Sequence, residues 1–537
     1  MSSPRSRWLV VLLAAGVPLL FAAFTQHAWE DYFITLRSSR NLVEGHGLVF
    51  TPGERVHTFT SPLGVLLPAL CTFVAGPGRE ELALWLFRII NLGFLAAAGL
   101  LLWRRAESLK LGAVGCVVLF GLIFTEPKLV DFSMNGMETA LLVFFALLFW
   151  SELERPEGAR PAWLAAGTAG LMWTRPDAFV LAGAMLVSRL LLRSRTEPLR
   201  TLAWPALLRG LIGGGLLYAP WFAWAWWYYG TPVPHTVIAK GAYMPAIQLT
   251  SLLRVPFNTL TGQSLLMDLF MPAYWPFGGW PPFLQHLAQA LAIIAAFAWL
   301  LPFLPLPGRR ASLAVFIGMF YLCSIILFPW YAPPWTALAV IAIAFTADGL
   351  FNRAVASGQR TLAVGGRAAL VTLVALQAGV LGAVAWQMRT AQTYIETETR
   401  HAIGDWLRRH AQTGDTLFLE PLGYVGYYSQ LKTYDFPGLS SPEVVAAGRH
   451  GARRYADIIG TLRPTWVLLR PSEATRPEFA TTGVLQGYEV VKEWNVLPQL
   501  DRIAFLPGRA WVEGDARFIL FRRRAASGPA SRPVVAR

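Results

Sequence analysis

Charge is what this chain has least of. Only 15% of its 537 residues are charged, whereas 55% are apolar, and the aromatic residues include 22 Trp and 33 Phe. Soluble domains carry about 25% charged residues on average, so the composition excludes an ordinary soluble protein of this size. It is typical of a helical protein that crosses a membrane many times.

Cysteine is nearly absent as well. Cys71, Cys116 and Cys323 lie in apolar runs and show no C-x-x-C spacing. This excludes a disulfide framework and a cysteine-based zinc site. The chain also lacks a glycine-rich phosphate-binding loop and an arginine–aromatic patch, so we expect neither a nucleotide nor a nucleic acid as a partner. The net charge of +14 is explained by basic loops that anchor the chain in the lipid bilayer and by the basic segment 522–524.

Eleven apolar runs are candidate membrane helices, several of them shorter than the roughly 20 residues that a span needs. They lie at 8–24, 82–103, 111–125, 137–150, 161–173, 177–192, 207–227, 287–303, 313–328, 335–350 and 368–388. The first run follows Arg5 and Arg7 and has no small-residue cleavage site. We therefore expect a retained first helix and an inner N-terminus rather than a cleaved signal peptide.

A further apolar run, 62–75, decides the topology. If it lies in the interface, the basic clusters at 104–110, 155–160, 193–209, 309–310 and 353–367 all fall on the inner side. If it spans, every one of these clusters moves outside, against the usual bias of basic loops. We therefore predict an interfacial helix over 62–75, and place the loops 25–75 and 228–286 and the region after 388 on the outer side.

The region after residue 388 changes in composition. Strand patterns occur at 416–420, 465–469, 489–492 and 518–521, and helical patterns occur at 395–410 and 452–462. Together they predict a small α/β domain over 389–524, outside the membrane, after a membrane domain over 1–388. The Ser/Pro/Arg-rich segment 525–537 is predicted to be a disordered tail.

Two adjacent acids, Glu30 and Asp31, follow the first apolar run directly. Ionisable groups at a membrane boundary are usually there for a function. A structural alternative is that both acids merely favour the N-terminus of the helix after Trp29. Adjacent helical residues do not face each other, so one acid is expected to do chemistry while the other orients the acceptor, a metal or the loop.

The segments around this pair carry a family resemblance. EDYFITLR at 30–37, RNLVEGHGLVFTPGERV at 40–56 and TSPL at 60–63 resemble the first outer loop of GT-C glycosyltransferases. They are most similar to the branch with the terminal arabinofuranosyltransferases, which is related to protein O-mannosyltransferases and aminoarabinose transferases. Weaker matches are NGMET at 135–139, TRPD at 174–177, PHT at 234–236 before AK at 239–240, GYVGYY at 423–428 and DFPGL at 435–439.

The resemblance implies the fold and the activity. The expected fold is an all-α polytopic GT-C membrane protein of about eleven transmembrane helices with a small C-terminal extracytoplasmic α/β domain. The expected enzyme moves a hexosyl or pentosyl group, with inversion, from a polyprenyl-phosphate-linked donor. The acceptor would be a cell-envelope glycan, lipid or protein at the outer face of the inner (plasma) membrane. Phosphate is a good leaving group, so this chemistry needs a base and a cation rather than a general acid.

The same resemblance assigns candidate roles. Glu30 and Asp31 are the implied catalytic pair, and Lys240 is the implied contact to the donor phosphate. The family usually has Asp at the first acidic position, and the extra methylene of Glu30 moves its carboxylate by about 1.5 Å. Which of the two acids is the base stays open on the sequence.

Eight further residues are candidates for phosphate or substrate binding: Arg175, Arg88, Arg37, Arg40, His57, Glu138, His235 and Tyr331. Each has a structural alternative. Arg175 could extend to the lipid headgroups, and Arg88 could pair with Glu30, Asp31 or Glu138.

Arg37 and Arg40 share one helix face and could belong to an amphipathic surface. His57 and His235 are lone histidines that suit a polar structural role. Tyr331 suits an interfacial aromatic belt, as does the neighbouring Trp330.

Metal dependence is open on the sequence alone. Some GT-C enzymes hold a divalent ion, and the oxygens of Glu30, Asp31 and Glu138 are suitable ligands for Mg²⁺ or Mn²⁺. Nothing in the residue spacing requires such an ion, and no other cofactor is indicated.

Two other classes of protein fit part of the pattern. A lipid or glycan transporter would account for the helices, but not for the paired acids or for the lack of internal repeats. A catalytically inactive envelope-assembly subunit would account for the Asp-to-Glu departure at position 30. Detection of sugar transfer by the purified protein separates the enzyme from both.

Overall fold

The computed structural model describes residues 4–193, 204–243, 249–324 and 328–524. Sixteen α-helices make up the membrane part of these residues: α1 (Pro4–Thr25), α2 (Glu30–Val43), α3 (Pro62–Ala75), α4 (Glu80–Ser108), α5 (Ala113–Phe124), α6 (Pro127–Met134), α7 (Thr139–Leu153), α8 (Pro161–Thr174), α9 (Phe179–Leu191), α10 (Trp204–Tyr229), α11 (His235–Tyr243), α12 (Leu249–Leu260), α13 (Pro282–Phe297), α14 (Leu306–Leu322), α15 (Ala332–Ala356) and α16 (Arg360–Thr390). Short 3₁₀ turns lie at Pro176–Ala178, Leu265–Leu269, Trp275–Phe277, Ala298–Leu300 and Pro329–Tyr331.

Helix length sets how many of these segments cross a membrane. Within the described ranges, six segments are long and apolar enough: Arg5–Thr25, Glu80–Ser108, Trp204–Tyr229, Pro282–Leu300, Pro329–Ala356 and Arg360–His410. A seventh is added if α5 and α6, bent by 44° at their junction, count as one span. The eleven predicted runs all fall on helices, with 325–327 outside the described residues. A count of eleven spans is not confirmed, because helices such as α8 (14 residues) and α9 (13 residues) are too short to cross alone.

The bundle has two distinct ends. At one end, the Gly112 amide donates to Asp348 (3.1 Å) and Arg310 pairs with Glu154 (2.8 Å). These contacts bring together the loops that carry the predicted inner basic clusters. Positions 195 and 200 of those clusters lie outside the described residues. α2, α3 and α11 lie at the opposite end.

Helix α3 keeps both of its ends on the same side of the bundle. Near its start, the Ser39 hydroxyl of α2 donates to the Val65 carbonyl (2.7 Å). Directly after it, Glu80 accepts a hydrogen bond from the Tyr427 hydroxyl (3.1 Å), which belongs to the C-terminal region. The run 62–75 therefore does not cross the bundle, in agreement with an interfacial helix.

The C-terminal region is an α/β unit. Its helices are α17 (Ala402–His410), α18 (Gly423–Ser429), α19 (Pro442–Arg449), α20 (Tyr455–Leu462), α21 (Pro471–Ala474), α22 (Pro477–Thr482), α23 (Leu497–Leu500) and α24 (Arg509–Gly514), with a 3₁₀ turn at Val484–Gly487. Its strands are β1 (Thr416–Leu419), β2 (Lys432–Asp435), β3 (Trp466–Leu469), β4 (Tyr488–Asn495) and β5 (Arg517–Arg523). Helix α16 continues through a π-helical segment, Ala391–His401, into α17, so the predicted boundary at 388 falls within a continuous helix.

The five strands form one sheet in the order β2-β1-β3-β5-β4. β1 pairs in parallel with β2 and β3, and β5 runs antiparallel to β3 and β4. Leu417 and Leu419 pack with Leu407 of α17 on one face, while Phe418 packs with Ile458 of α20 on the other. Because both faces are covered, β1 and β3 read as continuous apolar runs, which is why the sequence predicted them.

Candidate active site

A cleft of about 650 Å³ lies between one end of the helix bundle and the α/β unit. This volume is in the range of small-molecule sites. The bundle supplies Glu30 and Asp31 of α2, Lys240 of α11 and a group of aromatic residues. The C-terminal region supplies a set of charged side chains, namely Glu396, Arg400, Glu420, Arg470, Glu473, Arg476 and Asp515. The predicted catalytic pair and the predicted phosphate contact thus share one cavity.

Local backbone geometry brings the carboxylates to this cavity. Trp29 is extended, and its amide donates to the Asn135 carbonyl (2.8 Å), so α2 begins at Glu30. Both acids therefore occupy the first helical turn, where the free N–H groups favour negative charge. The side-chain amide of Asn41, two residues before the end of α2, donates to the carbonyls of Val49 and Phe50 and fixes the following loop.

The two carboxylates have different surroundings. The backbone N–H of Gly423, at the start of α18, donates to Oε1 of Glu30. Burial, and then the charge of Asp31, raises the pKa of Glu30 well above its ordinary value, while the nearby Arg400 opposes the shift. Glu30 therefore keeps its proton to a higher pH than an exposed carboxyl, and it is tied to the C-terminal region.

Lys240 lines the same cleft as the other carboxylate, Asp31. Its Nζ lies 4.4 Å from the ring centroid of Phe328 and 5.9 Å from that of Trp330. Burial lowers the pKa of Lys240, and the charge of Asp31 opposes that shift. Among the described residues no carboxylate forms an ion pair with Lys240, so its ammonium is held by aromatic faces and is available to an anion.

The opposite wall is a continuous network of ion pairs. Arg400 binds Glu396 (2.6 Å) and Asp515, and Arg470 binds Asp515 and Glu420 (2.7 Å). Arg470 also binds Glu473 (2.9 Å). Sequence reasoning missed this wall, because Glu396 and Arg400, four residues apart on a helical pattern, look like an ordinary surface pair.

Three near-parallel aromatic rings also line the cleft. The Tyr274 ring stacks on Trp511 (centroids 4.9 Å apart, 3° between planes) and on Trp29 (5.7 Å, 12°). Trp29 and Trp511 lie 6.1 Å apart at 9°. The three residues belong to the start of α2, a bundle loop and α24, so the stack joins the carboxylate pair to the C-terminal region.

Arg175, Glu138 and Tyr331 form a separate cluster. The Arg175 guanidinium binds Glu138 (3.3 Å) and Asp177 (3.0 Å) and lies 4.2 Å from the centroid of the Tyr331 ring. The Arg175 side chain is only 6% exposed, so its extension to lipid headgroups is a wrong prediction. The charge of Arg175 contributes to the lowered pKa of Lys240, so the cluster lies near that lysine. None of its three residues lines the cleft, so the cluster lies behind it.

The candidate metal ligands are not brought together as one set. Glu138 is bound by Arg175, and one oxygen of Glu30 accepts from Gly423. Over the ranges that the structure describes, no three His, Cys, Asp or Glu side chains form a group that could hold a metal ion. Glu30, Asp31 and Glu138 therefore do not fit a three-carboxylate site.

Two predicted phosphate ligands are structural instead. The fully buried Arg37 donates to the backbone carbonyls of Gly426 (2.7 Å), Gln430 (3.2 Å) and Leu431 (3.1 Å), and so fastens α2 to α18. Both roles predicted for it, phosphate binding and a surface-amphipathic position, are corrected by this burial.

Arg88 is likewise buried in α4. It donates to the carbonyls of Met134 (2.7 Å) and His27 (2.6 Å). It is bound by carbonyls rather than by the predicted acids, because these bonds close the turns before α2 and after α6. It does not line the cleft.

The remaining predicted residues also lie outside the cleft lining. Arg40 pairs with Glu44 (3.3 Å) and lies over a tyrosine ring. His57 stacks on Tyr229 (4.5 Å), and its carbonyl accepts from the His235 amide (2.7 Å). Burial lowers the pKa of His57 to about 4 and also lowers that of His235. Both histidines therefore take the structural role that the sequence analysis left open.

Comparisons with known proteins cover different parts of the chain. A family model described as a domain of unknown function (DUF8728) matches residues 386–519. A terminal beta-(1->2)-arabinofuranosyltransferase of Mycobacterium tuberculosis is 32% identical over 260 residues, which cover 44% of this chain and 38% of the relative. The enzyme of the same name from Corynebacterium glutamicum is 29% identical over 259 residues, covering 43% and 35%. The matches thus span less than two fifths of these relatives.

Solved structures match almost the whole chain. ArnT from Cupriavidus metallidurans, bound to undecaprenyl phosphate, has a TM-score of 0.50 at 14% identity over 97% of this chain and 98% of that one. The mycobacterial arabinofuranosyltransferase AftD has a TM-score of 0.50 at 14% identity, over 97% and 40%. An Archaeoglobus fulgidus oligosaccharyltransferase tethered to an acceptor peptide reaches 0.51 at 12% identity, over 92% and 73%. The predicted resemblance is confirmed: the chain has the fold of the GT-C glycosyltransferases, and part of it is similar in sequence to terminal arabinofuranosyltransferases.

Proposed function

We propose that the protein transfers a sugar from a polyprenyl-phosphate-linked donor to a cell-envelope acceptor, with inversion at the anomeric carbon. The observation that carries the proposal is the meeting of Glu30, Asp31 and Lys240 in one cleft at the end of the helix bundle. A relative of the same fold is described as bound to undecaprenyl phosphate, which supports a lipid-linked donor. The named relatives make an arabinofuranosyl donor the first to test.

Asp31 is the base in this mechanism. The acceptor hydroxyl oxygen forms a bond to the anomeric carbon while the bond from that carbon to the donor phosphate oxygen breaks. The hydroxyl proton passes to the Asp31 carboxylate, and the bonding pair leaves with the polyprenyl phosphate. A single displacement of this kind inverts the configuration, as in inverting sugar hydrolysis.

The surroundings of Glu30 support a different role for that residue. Its raised pKa keeps it protonated over a wider range, and a protonated carboxyl is a poor proton acceptor. Its hydrogen bond from Gly423 holds α18 against the first turn of α2. We therefore assign Glu30 to positioning. In its protonated form, Glu30 also repels the donor phosphate less than a carboxylate would.

Lys240 is the proposed partner of the leaving phosphate. A largely buried ammonium over aromatic rings interacts more strongly with the phosphate as charge develops on the departing oxygen. Burial lowers the pKa of Lys240 and so disfavours the ammonium form. A bound phosphate would favour the ammonium form again. Arg175, neutralised by two carboxylates, is the support behind it.

The orientation of the protein is part of the proposal. The loops rich in basic residues meet at the end of the bundle away from the cleft, which supports an outer cleft in the inner (plasma) membrane. A membrane-impermeant maleimide added to intact cells should label Ser472→Cys in the cleft, but not Gln359→Cys between α15 and α16. Labelling of only the second variant would reverse the orientation.

The decisive experiment is a transfer assay with purified protein in lipid nanodiscs. Polyprenyl-phosphate-linked arabinofuranose, offered with a panel of glycan, lipid and peptide acceptors, should give a product whose anomeric configuration by NMR is opposite to that of the donor. Asp31→Asn is the inactive control. Movement of intact donor across the membrane without transfer would identify a transporter. An inactive assembly subunit would be identified by two results together: no transfer in this assay, and unchanged surface glycan in cells whose protein lacks both Glu30 and Asp31.

A further inference from the structure

A second cavity, of about 690 Å³, lies among α13, α15 and α16. It shares no lining residue with the active-site cleft, and its volume is in the range of small-molecule sites. Helix α15 starts next to Trp330, which lines the cleft, and ends at Ala356. The polar end of the cavity, at Ser357 and Gln359, therefore lies at the end of the bundle away from the cleft.

The cavity extends over the depth of one lipid leaflet. Ile343 and Ala354, both in its lining, are eleven residues apart on α15, which is about 16 Å along the helix axis. One half of a bilayer's hydrocarbon core is about 15 Å thick. Leu350 and Leu362 of the lining are 49% and 64% exposed, so the cavity is open at its side to the surrounding lipid. An acyl chain can enter it from the bilayer.

A glycine of α16 leaves room in this cavity. Gly366 lines the cavity, and a Cβ atom built there would meet no atom within 4 Å. Glycine destabilises a helix interior relative to alanine. Within the described part of the chain, close packing of a neighbouring helix does not require glycine at this position. The space beside it is available to an occupant of the cavity.

The polar end of the cavity carries a group of arginines. Arg353 lines the cavity and lies 4.9 Å from the centroid of the Phe303 ring. Arg360 is the first residue of α16, and Arg367 lies 4.5 Å from the centroid of the Phe351 ring. Among the residues that the structure describes, no carboxylate forms an ion pair with any of the three arginines. The cavity therefore has a positively charged end and an apolar body.

The acidic residues nearest in the chain do not neutralise this charge. Segment 349–395 contains no Asp or Glu. Asp348, which precedes it, is 7% exposed and accepts hydrogen bonds from the amides of Gly112 (3.1 Å) and Gly115 (3.3 Å). Guanidinium groups bind phosphate oxygens in pairs, and basic pockets between membrane helices bind anionic lipid headgroups. The charge thus indicates an anion that comes with the lipid.

We infer that this cavity is a binding site for one anionic phospholipid of the leaflet away from the cleft. Its phosphate lies against Arg353, and an acyl chain lies along α13, α15 and α16. A free phosphate would use only the charged end, and an uncharged lipid only the apolar body. The site is independent of the proposed function, because neither substrate of the transfer reaction uses it. It lies against the helix that continues without a loop into the cleft wall.

Native mass spectrometry of the full-length protein in a non-ionic detergent tests the inference. The three probes are dioleoyl phosphatidylglycerol, dioleoyl phosphatidylcholine and glycerol 1-phosphate. The first molecule of phosphatidylglycerol should bind at least 10-fold more tightly than the first molecule of phosphatidylcholine, and glycerol 1-phosphate should not bind. Equal affinity for the two lipids would show a non-selective lipid contact. Binding of glycerol 1-phosphate as tight as that of phosphatidylglycerol would show a surface phosphate site. Either result overturns the inference.

Variants that fill the apolar body locate the acyl chain. Gly366→Leu should weaken binding of the first phosphatidylglycerol at least 10-fold, because the new side chain occupies the cavity. Gly379→Leu is the matched control: it lies on the same helix, its Cβ also meets no atom within 4 Å, and it is outside the cavity lining. It should bind as the wild type does. The melting temperature of each variant shows whether it is folded.

Variants at the charged end locate the phosphate. Arg353→Gln should lower the affinity for phosphatidylglycerol to that for phosphatidylcholine, and Arg353→Lys should keep part of the preference. Arg104→Gln, which changes an exposed arginine of α4 outside the cavity lining, is the control and should keep the full preference. Because the Arg353 side chain is exposed, this arm remains valid if Gly366→Leu does not fold. Wild-type affinity in Arg353→Gln, or an equal loss in either control, overturns the inference.

Discussion

Gly423 offers a direct test of how the C-terminal domain controls the carboxylates. A Cβ atom at this position would lie 2.7 Å from the carbonyl carbon and 2.8 Å from Oε1 of Glu30, and closer still to the carbonyl oxygen. Ordinary carbon contacts lie at about 3.5–4.0 Å, so Gly423→Ala must push α18 and the first turn of α2 apart by roughly 1 Å. It must also weaken the hydrogen bond from the 423 amide to Glu30.

Both effects act on turnover. A misplacement of about 1 Å costs on the order of 100-fold in rate. A hydrogen bond to a protonated carboxyl contributes about 0.5–1.5 kcal/mol, which is a smaller factor of up to about ten. We therefore expect Gly423→Ala to lower kcat about 100-fold. Alanine is the better helix former at the start of α18, so the melting temperature should fall by only a few degrees.

The matched control is Gly487→Ala in the same domain, where a Cβ meets no atom within 4 Å. The assay compares kcat, donor KM and melting temperature for the two variants and the wild type in nanodiscs. A Gly423→Ala enzyme with wild-type kcat would refute the view that the C-terminal domain positions Glu30. A similar loss in Gly487→Ala would show a general defect of the domain.

Three further predictions concern the cleft. Asp31→Asn should lower turnover by about 100- to 10,000-fold with donor affinity retained, and an equal loss in donor affinity would argue against a base. The raised pKa of Glu30 means that the wild type loses stability as pH rises from about 4.5 through that pKa, whereas Glu30→Gln does not. The melting-temperature difference, variant minus wild type, should therefore grow between pH 4 and pH 8, and a constant difference would contradict the shift. Lys240→Ala should weaken donor binding and turnover, and Lys240→Arg should restore part of both. Because the pKa of Lys240 is lowered, the donor KM of the wild type should rise with increasing pH from a pH below 10.5, the ordinary lysine pKa. Unchanged kinetics in Lys240→Ala would reassign the phosphate contact to another residue.

The sequence predicts best those features that depend only on residues adjacent in the chain. Glu30 and Asp31 are adjacent at the start of a helix, and the apolar runs of β1 and β3 show directly in the letters. β2 was missed, because it is a short edge strand with alternating burial and the polar sequence KTYD. Its pairing with β1 depends on a neighbour that the local pattern does not show.

The misassigned arginines show the opposite case. Arg37 reaches carbonyls about 390 residues away, and Arg88 reaches one carbonyl at the end of α6 and one in the loop before α2. A guanidinium that satisfies backbone carbonyls has no partner side chain, so no residue pattern marks it. The buried Glu396–Arg400 pair looks like a surface pair for the same reason, since only the folded chain places the C-terminal domain over it.

One continuous helix joins the bundle to the α/β unit, so a tilt of this helix changes the position of the unit. The segment Arg360–His410 is 51 residues long, its apolar part is largely exposed on the outside of the bundle, and it continues without a loop into the wall that carries Arg400. At 1.5 Å per residue, the 31 residues of α16 span about 46 Å, so a change of about 5° in tilt moves the far end by roughly 4 Å. A thinner bilayer tilts such a helix and so alters the width of the cleft. Transfer rates should therefore vary between nanodiscs of short and long acyl chains, and identical rates would show that the tilt of this helix does not control the cleft.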